Sequence, residues 1–459
     1  MKAPPHPPAP LADLLASTRP AAVWLRRLLL LALISAGVSA SATVIRYLTP
    51  PWIYEKDFLQ EYLFARAVLR QISPYGVLQE LGALFLTRPD IPLFPHPTPH
   101  PPPVVFVALP FGLLPYEQAQ VAWFLLGVSC LVIALRLLLQ PHFSGLSIPK
   151  FALICLITVP LLHFWEELGL GQMMMLQLLL LVAAWRALRV HRDGTGAILL
   201  GLALALKLIA WPIVILLMVG RRWRAMSVAI ATFACANLAA ALILGPREVI
   251  YYYSVVSGWV WSVYRGDWGN FSLMSVGWRL FEGTGVSSLT GLHAPPLVAA
   301  PGLAYPAAIL LVGIWLAVGL TWAAQARSFD VAFGMALCTS VLASPLTWCH
   351  YLILLVMPLS LVVRRVINLG FPRRTVYQFL LLVVLLSIPA ALFHDAMLLF
   401  AQTPQPPARG IVIPFAASLM DLIPAAAVVA ALCLLRQLDR KENRAPASVD
   451  RAGQTAGGG

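Results

Sequence analysis

The sequence predicts an all-α polytopic membrane protein, and three observations carry that reading. The chain is 60% hydrophobic and only 11% charged, whereas a soluble domain carries roughly a quarter charged residues. Its mean hydropathy is +0.81. Apolar runs of about 17 to 25 residues recur along it, the length needed to cross about 30 Å of hydrocarbon. A membrane β-barrel would show alternating segments of about ten residues instead.

Residues 1–25 are polar and proline-rich and read as a cytoplasmic tail ending at Arg26 and Arg27. A first apolar segment over 28–47 leads outward to a long external connection, 48–118. That segment is too long, and followed by too many others, for a cleaved signal peptide. Within the connection, VVFVALPFGLLP (104–115) is too short for a span and holds Pro110, which suits a re-entrant or interfacial helix. Segments follow at 119–139, 150–165 and 168–188, with His142 and Lys150 in the first cytoplasmic connection. The stretch 196–220 has basic clusters at both ends, so it reads as two short helices meeting at Trp211–Pro212, where proline breaks the hydrogen-bond ladder. A segment at 226–245 leads to a second external region, 246–300, rich in Tyr, Trp, Gly and Ser. Segments at 303–324, 330–343, 349–363, 376–392 and 411–436 complete a body spanning 26–436. Residues 437–459 read as a disordered cytoplasmic tail, whose final AGQTAGGG has no material for a core. Counting the broken pair as two gives about twelve membrane helices with both termini cytoplasmic.

The net charge of +13 does not point to nucleic acid. The basic residues sit in short connections between apolar runs, where they set orientation. The six cysteines are scattered in or beside apolar segments without a CxxC, so neither a zinc site nor a disulfide framework is indicated.

The polar residues at external helix ends form a pattern. Glu55 and Asp57 stand one residue apart where the chain leaves the first segment. Glu61 and Glu80 read as ordinary solvated charges on an interfacial helix; Asp57 asks for more. His96 and His100 lie in the proline run, and Glu166, Glu167 and Gln172 lie around HFWEELGLGQ. Lys207 sits in the middle of GLALALKLIAWP. An ammonium in an apolar helix costs several kcal/mol unless paired or solvated, so it marks function ahead of simple snorkelling. A lysine near the outer interface is suited to neutralise a phosphate. Arg265, Asp267, Asn270 and Ser272 fall in the aromatic region, and His350 ends SPLTWCH. Aromatics at that density serve an interfacial belt, and equally a surface that stacks on sugar or grips an isoprenoid. A carboxylate at Asp57 suits deprotonation of a hydroxyl that attacks a sugar carbon bearing a phosphate leaving group.

In series these residues resemble glycosyltransferase family 87, of the GT-C superfamily. The elements are Asp57, Tyr62 and Ala65 ahead of Pro74–Tyr75, then HPPPVVFVALP at 100–110 and Gly171–Gln172. Lys207 to Pro212, Asn270–Phe271–Ser272–Leu273, and Ser344, Pro345, Trp348, His350 and Tyr351 continue the series. Gln71 stands where the pattern has glycine, and Phe271 where a polar residue is common. The similarity covers roughly residues 25–435.

The resemblance implies a GT-C fold in a bacterial plasma membrane, with an extracytoplasmic active site. It implies inverting transfer of a hexose, most often mannose, from a polyprenyl-phosphate-linked donor to a lipid or glycan acceptor. Asp57 becomes the expected base. Lys207 and His350 become contacts to donor phosphate or sugar, with Gln172, Asn270 and Ser272 as further contacts; Glu55, Tyr62 and His100 complete the expected set. No cofactor, metal or nucleic acid is implied. Two rivals stand beside this reading: a transporter or flippase of lipid-linked sugars, and a GT-C enzyme using another donor sugar.

Overall fold

The computed structural model describes residues 20–86, 91, 93–140, 147–159, 161, 163–284, 292–369, 372–401 and 411–442. Their regular structure is helical except for one short parallel pairing, Leu292–His293 with Ile411–Val412. Most of the expected tails (1–19 and 443–459) and the connection holding His142 lie outside the described residues. The last helix, Ile423–Glu442, runs on into the stretch expected to be tail.

The expectation of about twelve membrane helices is overturned. Among the described residues five helices are long and apolar enough to cross a membrane: Tyr116–Leu139, Trp223–Leu244, Pro301–Ala324, Cys349–Val366 and Ala417–Arg440. A sixth is counted if Arg373–Leu386 and Ala390–Leu398, bent by 71° at their break, act as one span. The other apolar runs fold into shorter helices, among them Leu30–Arg46, Asp193–Leu206, Leu208–Val219 and Phe329–Ala343.

The reason is visible in Phe329–Ala343. At about 1.5 Å per residue, a helix of that length falls short of about 30 Å of hydrocarbon. Every residue from Asp330 to Ala343 is buried inside the protein. Trp211–Val219, Ala304–Ala324, Val356–Asn368 and Ile423–Glu442 pack around it. A helix apolar on all sides is a core helix here, and apolar composition alone does not separate protein-facing from lipid-facing residues.

Small residues tighten this core, as they do wherever helices approach closely without water to drive them together. At Gly201, a Cβ would fall 2.5 Å from the Ala229 carbonyl oxygen, so Asp193–Leu206 and Trp223–Leu244 touch backbone to backbone.

A second cluster plants the helix Phe58–Leu69. Phe58, Leu63 and Phe64 are fully buried in it, together with Tyr116 and Trp123 of the first long span. Phe58 stacks on Trp123 with ring centroids 4.8 Å apart. Asp57, the residue just before this helix, is thereby held against the bundle.

The broken pair exists, but its break comes earlier than expected. Asp193–Leu206 ends, Lys207 is extended (φ −160°, ψ 119°), Leu208–Ala210 forms one 3-10 turn, and Trp211–Val219 resumes. Pro212 lies in the first turn of the resumed helix, where no N–H is required, so the chain unwinds ahead of the proline. Lys207 therefore sits at an open helix end and not in mid-helix.

Candidate active site

A cavity of about 710 Å³ lies where the Asp57 end of Phe58–Leu69, the 166–172 turn, the Lys207 break and the Ser344–Tyr351 segment meet. Its size falls within the range of about 300–1,000 Å³ that holds small ligands. Asp57, His100, Gln172, Lys207 and His350 all line it. Residues more than a hundred positions apart in sequence thus face one space.

Asp57 is tied twice to one turn. Its backbone N–H donates to the Leu170 carbonyl (3.0 Å), and its Oδ2 accepts from Gln172 Nε2 (2.8 Å). That turn depends on Gly171, which ends the helix Phe164–Leu170 at φ +74°, a conformation that side chains disfavour. Trp123 Nε1 donates to the Gly171 carbonyl at 2.6 Å and locks it. Burial raises the Asp57 pKa above the ordinary carboxylate value; the Gln172 hydrogen bond and the Lys207 charge oppose that rise.

Lys207 projects from the break, with Nζ 4.1 Å from the centre of the Tyr351 ring. Its carbonyl accepts from Gln177 Nε2 at 3.3 Å, which holds the extended residue in place. His350 is buried in the 3-10 segment Cys349–Leu355, and its Nε2 has no hydrogen-bond partner among the described residues. A buried imidazole nitrogen left open in a ligand-sized cavity is a ready contact for an incoming oxygen.

Glu61 was expected to be solvated, and it is not. It is fully buried one helical turn beyond Asp57, with Oε1 3.2 Å from His100 Nδ1. Burial pushes its pKa well up and pushes His100 down to about 3, so each disfavours its charged form. The i, i+4 spacing of Asp57 and Glu61 was the available signal, since it sets both carboxylates on one helix face. Glu80, by contrast, is exposed as expected.

The remaining expected residues lie elsewhere. Asn270 is fully buried, donating to the Tyr264 and Pro345 carbonyls and accepting from the Ser272 and Thr347 N–H groups. Ser272 caps the helix Leu273–Phe281 and donates to Pro345 at 3.0 Å. The two join the aromatic region to the His350 segment from behind the cavity wall. Tyr62 is buried and donates to the Leu114 carbonyl (3.1 Å), and Glu55 is exposed.

Of the other flagged groups, Glu166 lines the cavity and bonds His163 at 2.6 Å, while Glu167 caps the Met174 and Met175 N–H groups. His96 bonds Tyr264 at 2.6 Å, and Arg265 pairs with Glu282. Tyr252, Trp261, Tyr264, Trp268 and Trp348 supply aromatic wall. Among the described residues no group of three or more His, Cys, Asp or Glu is arranged to hold a metal ion.

The arrangement offers a half-buried carboxylate, a cation, an open imidazole and aromatic faces around one volume. The model of glycosyltransferase family 87 matches residues 99–358, more than half of the chain. The match includes His100, Gln172, Lys207 and His350, and begins after Asp57, which joins it through Gln172. No curated protein and no solved structure matches the chain.

Proposed function

Because this chain belongs to glycosyltransferase family 87, within the GT-C superfamily, we propose that it transfers a hexose, most simply mannose, from a polyprenyl-phosphate-linked donor to a hydroxyl of a lipid or glycan acceptor, with inversion. The reaction takes place on the extracytoplasmic side of a bacterial plasma membrane. The observation that carries this reading is the shared cavity of Asp57, bonded to Gln172, and Lys207, which has no ion pair among the described residues.

In this mechanism the acceptor oxygen attacks the anomeric carbon from the face opposite the phosphate. The bond from that carbon to the phosphate oxygen breaks, and its electron pair leaves with the polyprenyl phosphate. The acceptor proton passes to Asp57, whose raised pKa makes it a stronger base than a solvated aspartate. Lys207 meets the charge that grows on the leaving phosphate, and a preorganised cation at that point lowers the barrier most. His350 bonds a phosphate or sugar oxygen. Aromatic rings such as Trp348 and Tyr264 suit the apolar face of a sugar. Leu208 and Tyr305 line the cavity yet are about half exposed, at 47% and 52%, which gives the isoprenoid a side opening toward lipid.

The test is transfer from a short-chain polyprenyl-phosphate mannose into a host lipid extract by protein in liposomes. Lys207→Met should lower kcat/KM for the donor by about ten- to a hundredfold, chiefly through kcat, the loss of one charge-assisted contact worth about 1.5–3 kcal/mol. Unchanged kcat/KM would remove Lys207 from the phosphate site. Wild-type protein that moves labelled donor across the bilayer without transferring sugar would establish the transporter reading instead.

A further inference from the structure

Arg279 and Asp421 form a buried pair that the mechanism above does not use. Arg279 lies in the helix Leu273–Phe281 and is 1% exposed; Asp421 lies in the span Ala417–Arg440 and is 4% exposed. The pairing is forked, with Nη1 to Oδ1 at 2.6 Å and Nη2 to Oδ2 at 2.7 Å. The same guanidinium donates to the carbonyls of Asp267, Trp268, Asn270 and Ser418. Three of those carbonyls belong to one turn, 267–270, so a single side chain fixes that turn and joins it to the last span.

The other side of this turn is cavity wall. Trp268, Gly269 and Phe271 line the cavity, and so does Asp421 itself. A Cβ at Gly269 would fall 2.6 Å from the Trp348 ring, so turn and ring touch. Asn270 then binds the turn to Pro345 and Thr347, and the Phe271 N–H donates to the Thr347 carbonyl at 3.0 Å. Turn, Trp348 and His350 segment thus make one body with Arg279 behind it. A buried ion pair is seldom the most stabilising choice, since apolar residues of like volume often stabilise as well or better. Its retention here has a second effect: it neutralises a carboxylate that faces a space meant for a phosphodiester.

We propose that Arg279, held by Asp421, is a positioning residue that sets the 267–271 wall and Trp348 at the height required to bind the donor sugar. This rests on the glycosyl-transfer reading, and it places the effect in donor binding and not in the chemical step.

The test compares wild type with Arg279→Met/Asp421→Leu, which strands no buried charge, and with Arg279→Lys, which keeps charge but loses the fork. Donor affinity is read by quenching of tryptophan fluorescence with polyprenyl-phosphate mannose, and transfer by kcat and KM. The double variant should fold with a lowered unfolding midpoint, because four carbonyls lose the Arg279 donor, and should show donor Kd and KM raised at least tenfold with kcat within about threefold. Arg279→Lys should fall between. Wild-type Kd in the double variant, or a fall in kcat at unchanged KM, would overturn the proposal. If the double variant does not fold, Arg279→Lys decides, and wild-type affinity in it is the contrary result. Absence of transfer by wild type would refute the glycosyl-transfer reading, while the Kd comparison still judges the wall.

Discussion

At the scale of single residues, the gathering of Asp57 with other polar groups was legible and the burial of Glu61 was not. Asp57 stands where apolar sequence gives way to polar, in a chain with only 19 acids. Glu61 reads as part of an interfacial helix, yet nine of the twelve residues of Phe58–Leu69 are buried, and its partner His100 lies far away in the sequence. Asn270 and Ser272 show the opposite limit: expected as substrate contacts, they do not line the cavity and their hydrogen bonds go to backbone behind its wall. The chemistry of Asp57 has a consequence in pH. As base it works deprotonated, and burial raises its pKa, so activity should fall as pH drops through a value above the ordinary aspartate pKa of about 3.9. Gln172→Leu removes a bond that favours the carboxylate, so it should move this acid limb further up. A profile of kcat/KM against pH reads both; an acid limb at or below the ordinary value, or an unmoved limb in the variant, would count against Asp57 as the base.

At the scale of elements, punctuation was easier to read than placement. Pro212 announced a broken pair, yet proline is at ease in a first turn, so the break fell ahead of it and carried Lys207 to an open end. Gln71 follows the helix Phe58–Leu69 with φ +55°, a left-handed position to which glycine is better suited. The Trp268–Gly269 turn carries the sharper prediction. Gly269→Ala would press a methyl into the Trp348 ring, an overpacking that costs about 1–3 kcal/mol. Thermal unfolding should show a lower midpoint, with donor KM raised because the wall shifts. A midpoint equal to wild type would mean that turn and ring part easily.

At the scale of the whole molecule, class was legible and span count was not. A chain 60% hydrophobic reads as a set of long apolar helices, but the same apolar letters describe a helix long enough to cross a membrane and the wholly enclosed Phe329–Ala343. Five or six helices are long and apolar enough to cross among the described residues, and shorter ones fill the space between them. That packing draws the 57, 172, 207 and 350 positions to a single cavity, which the order of motifs suggested without giving its geometry. The central claim is that this cavity performs sugar transfer with Asp57 as its base. The most direct measurement is transfer from polyprenyl-phosphate mannose by wild type and by Asp57→Asn, which keeps the side-chain size and removes the base. Loss of one general base typically costs about 10²–10⁴-fold in rate. The account predicts a loss of that order in kcat with donor binding retained; equal transfer by the two proteins would contradict it.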